Sequence, residues 1–214
     1  MRSDAADGVV GWLRARLPAS CGVAGGAIGD LGPGLFADEE AIVAKAGLKR
    51  RGEFRAGRHF ARVALGQIGG PAGAILARAE RDPIWPAGFV GSISHTDGHA
   101  IAVAAPAGVF GGVGVDFEPY SALDASLAAL VCRAEERLQA AAFDGVGIDH
   151  AMLCFVAKEA YFKAVFPTRR RFLEFHDVTV AFDIDQSRFR VSTNGDGVGW
   201  FMVSDAFAVA LFAL

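Results

Sequence analysis

The chain has 214 residues, 52% of them hydrophobic and 21% charged, with a formal net charge of −3. Such a chain buries a core as one domain or as two of about 100 residues each, which excludes disorder as its main state. The acidic balance gives no general attraction to nucleic acid or to an anionic membrane, and no RRM, zinc-finger or helix-turn-helix pattern supplies one locally. The opening residues MRSDAADGVVGWLRARL scatter charge where a signal peptide would be apolar. No later run reaches the roughly 18 apolar residues of a membrane span, so a cytoplasmic protein is expected.

Asp38 to Leu65 reads as helix. Ile42, Ala46, Phe54 and Ala61 line apolar faces, Asp38, Glu39 and Glu40 suit a first turn, and Gly47 and Gly52 are the expected break points. Within it KRRGEFRAGRHFAR, residues 49–62, is a basic run. It suits a solvated helix face, and equally the gripping of a polyanion by guanidinium forks. Gly66 to Pro86, rich in Gly and Pro, reads as loop with one short buried stretch at Ala72 to Ala77. Three strand-like runs, Phe89 to Ser94, His99 to Ala104 and Val113 to Phe117, are expected to form an antiparallel meander. Ala122 to Phe143 and His150 to Phe166 read as helices, the second closed by Pro167. Strands near Val178 to Phe182, Phe189 to Ser192, Trp200 to Val203 and Ala206 to Phe212 then complete an α+β chain. The two halves have similar content in similar order, which hints at two related lobes. Cys21, Cys132 and Cys154, odd in number and without zinc-site spacing, read as small reduced core residues.

Three motifs point to chemistry. In GVGVDFEP, residues 112–119, Asp116 and Glu118 are two apart at a strand end and project from one face. A pair of repelling carboxylates there is either a solvated strand end or part of a magnesium site. In FVAKEAYFKAVFP, residues 155–167, Glu159 and Lys163 share a helix face. They make either an ordinary surface ion pair or a third carboxylate beside a cation. In GSISHTDGHA, residues 91–100, His95 ends a strand and opens a turn through Thr96, Asp97 and Gly98. A histidine at such a turn commonly serves as a hydrogen-bonding residue. Neither Ser92 nor Ser94 stands in a GxSxG elbow, which disfavours a serine hydrolase.

Taken in order, KRRGEFRAGR, PIWPAG, GSISHT, GVGVDFEP and FVAKEAYFKAVFP resemble the signature blocks of the Sfp-type 4′-phosphopantetheinyl transferases, and in particular the branch of the enterobactin synthetase component D. Phe155 stands where the broader family usually has Trp. The resemblance implies a 4′-phosphopantetheinyl transferase fold of two similar α+β lobes, 1–108 and 109–214, related by a pseudo-twofold axis, with coenzyme A bound between them and magnesium at its pyrophosphate. It implies a monomer that transfers phosphopantetheine to a serine of an apo acyl or peptidyl carrier protein, in siderophore, nonribosomal peptide or polyketide synthesis. By position Asp116, Glu118 and Glu159 resemble the metal ligands, His95 a phosphate contact, and Lys163 a pyrophosphate contact. Arg50 and Arg58 resemble the 3′-phosphate contacts, with Arg78 or its rival Arg81 beside them. Glu159, directly or through a water on the ion, is the candidate base, and Lys163 the candidate stabiliser of the leaving phosphate. A coenzyme A-binding module without catalysis and a metal-dependent phosphohydrolase are the alternatives. The joint presence of Asp116, Glu118, Glu159 and Lys163 argues against the first, and the lack of a further Asp/His cluster against the second.

Overall fold

The computed structural model describes residues 2–29, 34–96, 98–143, 145–192 and 197–214, with side chains from residue 6 onward. The chain divides into two compact units, 1–113 and 114–214. Each is a mixed helix and sheet unit, as the α+β expectation requires.

The first unit runs α1 (Arg2–Arg14), β1 (Gly22–Ala27), α2 (Ala37–Val43), α3 (Leu48–Gln67), β2 (Phe89–Thr96) and β3 (His99–Pro106). Its antiparallel sheet has the order β1-β3-β2. The expected helix over 38–65 does break at Gly47, which takes an extended conformation as the N-cap of α3, but Gly52 is carried inside α3. One face of α3, Ala56, Phe60, Ala61, Ala64 and Leu65, packs with Ala100, Ala102 and Ala104 of β3. These small side chains let helix and sheet approach closely. The predicted turn residue Asp97 lies outside the described residues.

The second unit runs β4 (Val113–Pro119), α4 (Ala125–Val131), α5 (Ala134–Arg137), α6 (His150–Arg169), β5 (Thr179–Asp183), β6 (Arg188–Ser192), β7 (Val198–Val203) and β8 (Phe207–Ala213). Its sheet order is β4-β8-β7-β6-β5. The expected meander is therefore corrected: β2 and β3 form a hairpin, while β4 joins β8 in the other sheet. The helix expected over 122–143 is also corrected. Asp124 caps α4 by accepting from the backbone of Ser126 and Leu127. Cys132 then turns to an extended conformation, and Arg133 restarts the chain as α5. α6 starts at Asp149, whose carboxylate accepts from Met152 N. It passes through Pro167 and ends on Arg170 in the left-handed region. Pro167 lacks only the donor that would meet the carbonyl of Lys163, and the last turn tolerates the loss.

The two units are built around the same buried device. In the first, Glu39 in the opening turn of α2 is fully buried and accepts from Phe36 N at 3.0 Å, Ile75 N at 2.8 Å and the Arg62 guanidinium at 2.8 Å. In the second, Glu136 in the opening turn of α5 is fully buried and accepts from Arg133 N, Val180 N and Lys158 Nζ, each at 2.7 Å. Each carboxylate fastens a short helix, its long helix and a later strand or loop, with its charge matched by a cation. This explains why α5 must begin where it does: only there can Glu136 turn inward. The glycines repeat as well. A Cβ on Gly22 of β1 would overlap the carbonyl oxygen of Ala64, and a Cβ on Gly114 of β4 would overlap that of Ala160. Ala64 follows Arg62 by two residues, as Ala160 follows Lys158.

Candidate active site

Gly114 settles which way β4 faces. Since it lies against α6, Asp116 and Glu118, two and four residues on, project toward the same helix, while Phe117 faces the other way and packs on Phe207 at 4.5 Å. Along α6, Glu159 and Lys163 are one turn apart. Lys163 Nζ donates to Asp116 Oδ1 at 2.6 Å. The Asp116 side chain is only 3% exposed and that of Lys163 27%. The spacing alone pairs Lys163 with Glu159. The structure gives its short contact to Asp116, across from strand to helix.

Electrostatics show the crowding. Burial works against a charge on Lys163, but Asp116, by charge and hydrogen bond, together with Glu159 and Glu118, raises its pKa above the ordinary lysine value. Lys163 therefore stays a cation at neutral pH. Glu159 is pushed up, first by burial and then by Asp116, with Lys163 opposing. A cavity of about 150 Å³ lies beside Glu159, lined by Phe162, Phe172, Leu173, Phe175 and Val178 together with the charged Lys158 and Glu174. Asp116, Glu118 and Glu159 all act on the one ammonium of Lys163, so the cluster gathers carboxylate charge partly out of water. That donor set fits a hard divalent cation, which takes carboxylate oxygen and keeps other positions for water or a phosphate.

In the first unit, Arg50 of α3 and His95 of β2 meet, Nη1 to Nε2 at 2.9 Å, with Glu53 beside both at 3.6 and 3.8 Å. Arg58 is placed differently. It is buried, its guanidinium lies over the Phe54 ring at 4.2 Å, and it donates to the carbonyls of Ile75 and Leu76. Burial lowers its pKa to about 10; Glu39 opposes the shift, and Arg50 and Arg62 add to it. Arg78 donates to Asp82 in a small loop closed by the Ala77–Pro83 bridge, and Arg81 holds a positive φ in that loop. The sequence reading gave no role to Phe172, or to Lys158 as a buried cation. Phe172 follows the helix with no periodic pattern to mark it. Lys158 sits one residue before Glu159, and only the fold shows that Glu136 is waiting for it.

Residues 38–105 match the model of the 4′-phosphopantetheinyl transferase N-terminal domain, and residues 112–211 that of the 4′-phosphopantetheinyl transferase superfamily. The chain belongs to this family. It is 35% identical to the 4′-phosphopantetheinyl transferase PptT of Mycobacterium tuberculosis over 72% of this chain and 69% of that one. It is 37% identical to Npt of Nocardia iowensis, over 69% of this chain and 66% of that one, and 37% identical to Svp of Streptomyces mobaraensis, over 77% and 69%. Both are likewise named 4′-phosphopantetheinyl transferases. The enzyme is thus a phosphopantetheinyl transferase, with coenzyme A and a carrier protein as its substrates. Among the described residues no helix of this transferase is long and apolar enough to cross a membrane.

Proposed function

We propose that the transferase uses Asp116, Glu118 and Glu159 to hold magnesium and to carry out transfer in the second unit. The supporting observation is the gathering of these carboxylates around Lys163. When bound, the ion supplies positive charge to the pyrophosphate of coenzyme A. Glu159, its pKa raised by burial and by Asp116, takes the proton of the carrier serine hydroxyl. The serine oxygen forms its bond to phosphorus as the bond to the departing phosphate breaks, and adenosine 3′,5′-bisphosphate leaves. Lys163, held protonated by its carboxylate neighbours, meets the charge that develops on the leaving group. Asp116 keeps the Lys163 ammonium in place through their 2.6 Å contact.

Arg50 and His95 take a phosphate of coenzyme A. Arg50 also serves the 3′-phosphate with Arg58, whose remaining edge completes the grip, and Arg78 extends it. Arg50 and Arg58 are close enough for one to depress the charge of the other, and a bound phosphate relieves that repulsion. We place the domain boundary between residues 108 and 109, in the connection between β3 and β4, a few residues before the division into compact units at 113/114. On this reading the carriers belong to siderophore, nonribosomal peptide or polyketide assembly, and the enzyme acts as a monomer in the cytoplasm. The test is incubation with coenzyme A, magnesium and a panel of apo carrier proteins, read by intact mass. Gain of one phosphopantetheine on a carrier, lost on chelation of the metal and in Asp116→Ala, is the expected result. Near-wild-type transfer by Asp116→Ala at limiting magnesium removes the metal assignment.

A further inference from the structure

Apart from the carboxylate cluster, the fold collects a set of side chains of metal-ligating type. His150, the first residue of α6, and Cys154, one turn on, share a helix face. Cys132, the extended C-cap residue of α4, comes to them from another element. One ligand atom from each of the three lies within 4.8 Å of those of the other two, and all three residues are buried. In tetrahedral zinc, bonds of about 2.3 Å to sulfur and 2.0 Å to nitrogen put neighbouring ligand atoms roughly 3.6 to 3.8 Å apart. Cys154 Sγ and His150 Nε2 are already 3.7 Å apart.

The surroundings ask for an occupant. The His150 ring is packed against Phe143 at 4.7 Å and Phe182 at 5.8 Å. Its nitrogens lie 3.9 and 3.7 Å from the Cys154 sulfur, and the Cys132 sulfur is within reach of the same ring. An aligned hydrogen bond would bring one nitrogen distinctly nearer than the other. A buried imidazole whose partners are two weakly bonding sulfurs is poorly satisfied. Leu123, Leu127, Phe155 and Phe175 pack around the two cysteines and shield them from water.

We propose that Cys132, His150 and Cys154 bind one Zn²⁺ ion that ties the end of α4 to the start of α6, with one neutral water enclosed with it in the fourth position. The two thiols release two protons to solvent as the ion enters. Two thiolates, a neutral imidazole and Zn²⁺ then sum to zero charge, as an apolar pocket requires, whereas a monovalent copper ion would leave one negative charge buried. This site is separate from the carboxylate cluster and does not depend on the reading of that cluster.

The test uses the full chain, stripped of metal, kept reduced with a phosphine, and held in excess magnesium to occupy the carboxylates. Cobalt(II) is titrated first as a spectroscopic probe and zinc second. The expected result is one equivalent of cobalt with the sulfur-to-metal charge-transfer band of thiolate ligation, displaced by one equivalent of zinc. Cys132→Ser and Cys154→Ser should lose the band and weaken zinc binding at least tenfold, while Asp116→Ala retains both. X-ray absorption at the zinc edge of the wild-type protein should count two sulfur ligands, which keeps the test decisive if a serine variant fails to fold. Zinc bound without sulfur, unchanged zinc affinity in Cys132→Ser, or a Cys132–Cys154 disulfide in a protein that takes up no zinc when reduced would each overturn the proposal.

Discussion

Lys158 and Lys163 stand on one helix, and their surroundings separate them. Lys163→Ala removes the cation that Asp116, Glu118 and Glu159 surround, and is expected to lower kcat by about 10²-fold with a smaller change in coenzyme A affinity. Lys158 is 1% exposed at the side chain and donates to Glu136 and to the carbonyls of Val131 and Phe175. Lys158→Ala leaves Glu136 charged and buried, and is expected to cost about 3–5 kcal/mol of stability, read by denaturant unfolding. Five residues apart at 3.6 per turn, the two lysines cannot both face one site. That spacing did not foretell that Lys158 faces the core, because its partner is 22 residues away and its burial is a tertiary fact. Glu159 adds a pH dependence. Its folded pKa is raised, so without metal its contribution to stability is present below the ordinary Glu value of about 4.3 and is lost as pH rises through the folded value. Magnesium binds the ionised form, so the rise in Tm on adding magnesium should be small in acid and grow toward neutral pH. Thermal scans with and without magnesium across that range check this, and an equal rise at every pH would detach Glu159 from the metal.

Strand β4 carries its carboxylates to α6 only because Gly114 lets the two backbones touch. A Cβ there overlaps Ala160 O and comes within 2.6 Å of Ala164 N, both of them backbone atoms that cannot turn aside. Gly114→Ala is therefore expected to cost at least about 1–3 kcal/mol and to lose activity with stability, since it moves Asp116 away from Lys163. Gly66, exposed inside α3 with nothing within 4 Å of an added Cβ, is the counterpart: Gly66→Ala should stabilise by about 0.5–1 kcal/mol. Chemical denaturation of the two variants should move the midpoint in opposite directions. The strands of both sheets were legible from β-branched runs between turn residues, β1 excepted. GVAGGA has little strand character of its own and is held by pairing with β3. α1 was also missed, although Ala6, Val9, Val10 and Leu13 bury one face. The division of 122–143 into shorter helices was not legible, since it follows from Glu136 turning into the core.

Glu39 with Arg62 and Glu136 with Lys158 mark two units built to one plan, and the plan shows where the two differ. Where the second unit has Asp116 and Glu118 after Gly114, the first has Ala24 and Gly26 after Gly22. Where α6 has Glu159 and Lys163 beside Ala160, α3 has Val63 and Gln67 beside Ala64. Gln67 uses its side chain to accept from Val23 N at 2.9 Å, a structural contact at the position where Lys163 meets Asp116. The halves were legible as similar in order of elements, but this correspondence was not, because it rests on buried pairs without a shared motif. The proposed function divides the labour accordingly: anion binding through the basic helix and His95, charge chemistry through the carboxylates. Coenzyme A should then bind at least tenfold more tightly than its 3′-dephospho form, since charge-assisted contacts to a phosphate are worth about 1.5–3 kcal/mol. Arg50→Ala should erase most of that preference and leave the unfolding midpoint near wild type, its side chain being exposed. Arg58→Ala should lower both the preference and the stability, because it also abandons the carbonyls of Ile75 and Leu76. Calorimetry with the two ligands, paired with unfolding of each variant, separates the cases. Equal affinity of the wild-type protein for both ligands would take the 3′-phosphate away from this helix.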